Sequence, residues 1–181
     1  MVKILVVYYS LTGKTKFIAE SIAESINADM LKLKPVKEIN AEGGMKYFWG
    51  GFQATMKKKP KLEPFDINPL DYDLIFIGSP VWAWRQSPPI NSFLKKFNLS
   101  GKKLALWMCA GGDGVKSMSR FKDTLKNADI IGDICFQEPL QAEPDVVKEK
   151  AIVWARENLQ KFENSDTNLV YETLEIKSNQ M

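Results

Sequence analysis

The chain contains no histidine among its 181 residues. That removes Ser-His-Asp triads, histidine metal sites and imidazole acid–base chemistry in one stroke. It has two cysteines, Cys109 and Cys135, with no metal-ligand spacing between them. Both fall in apolar stretches that read as buried strands, which suits free thiols in a reducing compartment better than a disulfide. No apolar run approaches membrane-spanning length, and the start shows no basic segment followed by a signal-type apolar stretch. The expectation is a cytoplasmic protein that does not enter membranes. Acidic excess is also missing: the net charge is +3, and the only basic cluster is Lys57-Lys58-Lys59-Pro60-Lys61. A nucleic-acid surface wants a broader basic face, so this cluster reads as a solvated loop. With side chains so poor in catalytic groups, a bound organic cofactor is the more plausible chemical agent.

Regular alternation fills much of what remains. Ile4 to Tyr9 is a near-continuous apolar run, as expected of a parallel strand buried on both faces. Ile18, Ile22 and Ile26, with Ala19 and Ala23 beside them, give a helix one apolar face. Further strands are expected at Met30–Lys34, Leu74–Ile77, Leu104–Met108 and Ile130–Phe136. Helices follow from Ser87-Pro88, as helix cap and first-turn proline, around Met118, Phe121 and Leu125, and from Pro144. Strands alternating with helices mean a parallel sheet covered on both faces by right-handed crossovers. Five such units predict an α/β three-layer sandwich with sheet order 2-1-3-4-5. We expect one domain over residues 1–164, with 165–181 as a tail or, at Leu169–Ile176, an added edge strand. The stretch from Val36 to Glu63 breaks the pattern with Tyr47, Phe48, Trp49 and Phe52, and reads as a packed loop or a lid.

Three strand ends carry chemistry. The first runs Ser10-Leu11-Thr12-Gly13-Lys14-Thr15 into a helix start, whose unpaired N–H groups attract anions. Hydroxyls on Ser10, Thr12 and Thr15, with a glycine permitting close approach, make it a phosphate cradle. The same turn would also serve as a plain helix cap, but its place after the first strand favours a ligand. Gly13-Lys14-Thr15 is not a Walker A loop, because that motif needs a glycine where Tyr8 stands. The second end is Pro80-Val81-Trp82-Ala83-Trp84, and the third is Ala110-Gly111-Gly112-Asp113-Gly114. In a parallel sheet all three share one edge: phosphate donors, indole surface and bare backbone. The indoles would either plug the sheet top or stack on a ligand. Asp113 would contact a ring N–H or, more simply, cap the next helix.

With these motifs in order over residues 2–163, the chain resembles the flavodoxin family, especially flavodoxin-like members with a Trp-rich second loop. The resemblance implies flavin mononucleotide (FMN) as cofactor. Ser10, Leu11, Thr12, Gly13, Lys14 and Thr15 would hold its phosphate. Pro80, Val81, Trp82, Ala83 and Trp84 would line one side of the ring, and Ala110, Gly111, Gly112 and Asp113 the other. Lys14 departs from the family, which often has asparagine there; its ammonium would touch the phosphate or point to solvent. The glycine loop lacks the stacking tyrosine of many members, leaving one ring face open. The positive charge is also unlike acidic carrier flavodoxins. The implied function is electron transfer through the flavin to a partner protein or a small acceptor. The alternative is an FMN-dependent NAD(P)H:quinone or nitro-compound reductase; the absence of a nicotinamide-binding glycine fingerprint favours the carrier. A regulatory receiver module shares this sheet order but needs acidic residues at the first strand end, where Tyr8, Tyr9 and Ser10 stand.

Overall fold

The computed structural model describes residues 2–37, 59–141 and 143–178. Most of the aromatic excursion, including Tyr47, Phe48, Trp49 and Phe52, lies outside the described residues, as do Lys57 and Lys58. In chain order the elements are β1 (Ile4–Tyr8), α1 (Lys14–Ile26), β2 (Asp29–Lys32), β3 (Leu74–Trp82), β4 (Arg85–Gln86), α2 (Pro88–Lys96), β5 (Lys103–Ala110), α3 (Val115–Asp123), β6 (Asp129–Gln137) and α4 (Pro144–Ser178). Five strands run parallel in the order β2-β1-β3-β5-β6. Discounting the short antiparallel β4, that is the expected 2-1-3-4-5 arrangement. The segment Leu169–Ile176 belongs to the span of α4 and adds no edge strand. Among the described residues, no helix is long and apolar enough to cross a membrane.

Alternation along the strands builds two cores. Val6, Tyr8, Phe76 and Trp107 face α1 and α4, where they meet Ile18, Ile22, Trp154 and Ala155. Leu5, Val7, Ile77, Leu106 and Met108 face α2 and α3, meeting Ile90, Phe93, Met118 and Phe121. Each such side chain contributes about 1.5–3 kcal/mol on burial, so both faces of the sheet are needed to hold it. The ends of the excursion are tied to this frame: Val36 N–H donates to Lys61 at 2.9 Å, and Glu63 N–H donates to Lys34 at 2.7 Å.

Parallel pairing puts the strand tips on one edge. Tyr8 pairs with Gly78, and Gly78 with Trp107, so the carboxyl ends of all three strands lie on one edge, with β3 and β5 running on past the end of β1. Gly78 is there for space: a Cβ at this position would fall inside the Trp107 indole. Beyond it β3 continues to Trp82 and folds back as β4, with Trp82 paired to Arg85. The two connecting residues, Ala83 and Trp84, both have positive φ, 45° and 58°. Two-residue hairpins demand this left-handed turn and usually fill it with asparagine or glycine. Here a methyl and an indole occupy it instead, which costs about 1–2 kcal/mol per residue.

Two stability measurements check this picture. Gly78→Ala should lower the urea midpoint by the equivalent of about 1–3 kcal/mol with the slope unchanged; an unaltered midpoint would mean Trp107 is free to shift. Ala83→Gly should relieve turn strain in excess of the entropy that glycine adds, a net gain of about 0.5–1 kcal/mol. Calorimetry should then show the melting temperature raised by about 1–4 °C.

Candidate functional site

At the carboxyl edge of the sheet the first turn, the hairpin and the glycine loop meet around a cleft with two lobes. One, of about 250 Å³, is bounded by Thr12 and Lys14 from the first turn, Pro80, Val81, Trp82 and Ala83 from β3, Ala110 and Gly111 from the β5 end, and Cys109 and Glu138. The other, of about 280 Å³, lies between Val81, Ala83 and Trp84 on one side and Ala110 to Gly114 on the other, with Lys116 and Ser117 at its floor. Val81, Ala83, Ala110 and Gly111 border both. Each lobe alone is near the lower limit for a small-molecule site, roughly 300 Å³; the pair suits a larger ligand. Ser10, Leu11, Gly13 and Thr15 line neither lobe; they form the turn behind the Thr12–Lys14 wall.

That turn is built around two hydroxyls. Ser10 and Thr15 are buried, and neither Ser10 Oγ nor Thr15 Oγ1 has a hydrogen-bond partner. Gly13 takes the N-cap position of α1 at φ 88°, with no side chain capping the helix. Burial raises the Cys109 thiol, and the neighbouring Thr15 hydroxyl lowers it by less. Burial dominates that thiol and pushes its pKa up to about 12. It stays protonated at neutral pH and offers no thiolate nucleophile. Burial also raises Tyr8, helped by the charge of Glu20.

The hairpin is fastened from two sides. Ser87 N–H donates to Ser79 Oγ at 2.8 Å, and the Ser79 hydroxyl stands 3.2 Å from Ser87 Oγ. Ser87 therefore occupies the N-cap of α2 without its hydroxyl capping the helix, contrary to expectation. Gln86 Nε2 donates to Asn91 Oδ1 at 2.8 Å, and Arg120 Nη1 donates to the Trp84 carbonyl at 3.3 Å. The two indoles divide. Trp82 is 6% exposed and packs edge-on to Tyr9, ring centroids 5.6 Å apart. Trp84 is 62% exposed at the mouth of the second lobe.

In the glycine loop, Asp113 Oδ1 accepts from Val115 N–H at 3.1 Å, so its carboxylate caps α3 beside the Gly114 N-cap. Lys14 is turned to side-chain partners of this chain instead of to solvent. Its ammonium pairs with the Glu138 carboxylate and donates to Gln141 Oε1 at 2.9 Å. Glu138 and Gln141 were not legible as site residues from the sequence. The available signal was the fifth strand end, Gln137-Glu138-Pro139, which must emerge on the same edge as the other three.

Comparison with known proteins follows the same lines. An uncharacterized protein of Methanocaldococcus jannaschii is 28% identical over 138 residues, spanning 74% of this chain and 73% of that protein. A solved structure from Bacteroides eggerthii is similar with a TM-score of 0.68 at 22% identity, covering 86% of this chain and 99% of that one. A flavoprotein of Lactobacillus acidophilus, solved in complex with FMN, is 26% identical with a TM-score of 0.65, covering 75% of this chain and 93% of that chain. The flavodoxin family model matches residues 3–149, and the chain belongs to the flavodoxin family.

Proposed function

We propose that this protein binds FMN in the two-lobed cleft and serves as an electron carrier. The observation that carries the reading is the convergence of three strand-end loops on one cleft, with unpaired buried hydroxyls behind the first. Support also comes from the related Lactobacillus acidophilus flavoprotein, which was solved with FMN.

The residues present fit such a ligand. Burying a hydroxyl without a partner costs about 1–3 kcal/mol, and a phosphate at the start of α1 would supply acceptors for Ser10 and Thr15. The N–H groups of the first α1 turn add the positive end of the helix dipole. The second lobe presents bare backbone at Gly111 and Gly112 opposite Ala83 and Trp84, a slot suited to a flat ring. When bound, the flavin supplies the redox chemistry that this chain's side chains lack. The protein's own part is to anchor the phosphate through the first turn, to orient the ring between the hairpin and the glycine loop, and to exclude water with Trp82. Apolar surroundings of that kind disfavour an added negative charge on the ring. Trp84 and Val115, which is 68% exposed, leave the rim of the cleft open for contact with a donor or acceptor. The absence of a nicotinamide-binding glycine fingerprint favours the carrier over a reductase.

Thr15→Val tests the phosphate end. Losing a hydrogen bond to a charged group should weaken FMN by about tenfold or more, read by fluorescence quenching of the flavin. The apo protein should lose no stability, because the variant removes an unpaired hydroxyl. Purified wild type that takes up no FMN on reconstitution would end the proposal. The carrier role is checked by steady-state NADPH oxidation with a quinone acceptor. Turnover should fall roughly a hundredfold below the common enzyme value of about 10 s⁻¹; rates near that value would replace the carrier with the reductase.

A further inference from the structure

The phosphate end of the cleft holds one cation with two claims on it. Lys14 opens α1 directly after Gly13, so its ammonium belongs to the turn that would receive a phosphate. It borders the same lobe as Thr12 and Glu138. Its present partners, the Glu138 carboxylate and Gln141 Oε1, come from the other side of that lobe, past the end of β6. Glu138 is held there by its backbone. Its N–H donates to the Ala110 carbonyl at 3.0 Å, and its φ is 41°, a left-handed conformation uncommon for glutamate. The carboxylate also crowds the glycine loop: a Cβ on Gly111 would lie 3.2 Å from Glu138 Oε1.

We propose that Glu138 competes with the terminal phosphate of the flavin nucleotide for the Lys14 ammonium, and so sets the preference for phosphorylated over unphosphorylated flavin. The inference rests on the reading that the first turn takes a phosphate. A phosphate drawn to Lys14 must displace Glu138 from it or share it, and in either case it meets a carboxylate of the same sign. The cost falls on the charged end of the ligand alone, because riboflavin places no anion there. Both side chains keep partial solvent access, 27% for Lys14 and 35% for Glu138, so water and salt screen the effect. A structural tether would act in the opposite sense: if Glu138 merely aimed Lys14 at the ligand, its removal would weaken FMN binding.

The experiment titrates wild type, E138Q, K14M and the double variant with FMN and with riboflavin, following flavin fluorescence at low and high salt. E138Q keeps the side-chain shape and the backbone conformation, and its urea midpoint reports that it is folded. It should tighten FMN about three- to tenfold while leaving riboflavin within about 1.5-fold of wild type. In the K14M background the same change should give a smaller gain, and at about 1 M salt the gain should shrink. Unchanged or weakened FMN binding by E138Q, or a gain shared equally by riboflavin, overturns the competition while leaving FMN as the ligand. Wild type that binds neither flavin overturns the reading beneath it instead.

Discussion

The ladder that pairs Tyr8 with Gly78 and Gly78 with Trp107 holds three strands in step, so their tips lie on one edge of the sheet. Everything at the cleft descends from that alignment. It depends on a missing side chain: Trp107 fills the space above Gly78 that any Cβ would take. Past this row β1 ends, β3 runs on to Trp82 and β5 to Ala110, and the first turn, the hairpin and the glycine loop border one cleft at this edge. Slipping β3 by one residue would present the opposite face of every side chain and separate the three loops.

Around this cleft the chain's own side chains are chemically quiet. Cys109, the thiol that borders it, is kept protonated by burial, with its pKa at about 12. No imidazole exists anywhere in the sequence. What the protein contributes is position and field: helix-start N–H groups, the ammoniums of Lys14 and Lys116, the carboxylates of Glu138 and Asp113, and two indoles of unequal exposure. That inventory suits a scaffold that holds a redox group better than one that performs group transfer by itself.

The periodic parts of the molecule were legible because their signals are local. Ile18, Ile22 and Ile26 repeat on one helical face, and the apolar runs at Ile4 and Leu74 need burial on both sides. Three strand tips were also readable, since a parallel sheet must place them together. Contacts that depend on distant segments were not. Ser87 looked like a helix cap, yet the buried Ser79 hydroxyl offered its N–H and its Oγ a nearer partner. Lys14 looked free to reach a phosphate, yet a carboxylate more than a hundred residues away in sequence claims it, held in place by a backbone turn that nothing near Glu138 announces. The C-terminal stretch around Leu169 carries strand-like apolar spacing, and the helix begun at Pro144 runs through it.

Several departures from local preference share one edge of the sheet. Ser10 and Thr15 bury unpaired hydroxyls, Ala83 and Trp84 take a turn meant for glycine, and Glu138 adopts a left-handed backbone. Each unpaired hydroxyl costs about 1–3 kcal/mol and each strained residue about 1–2. A fold carries such a load at one place only if the two cores supply a surplus, as the apolar layers on both faces of this sheet do. A ligand that binds only the folded chain returns part of the cost by mass action, in proportion to the logarithm of its concentration over its dissociation constant.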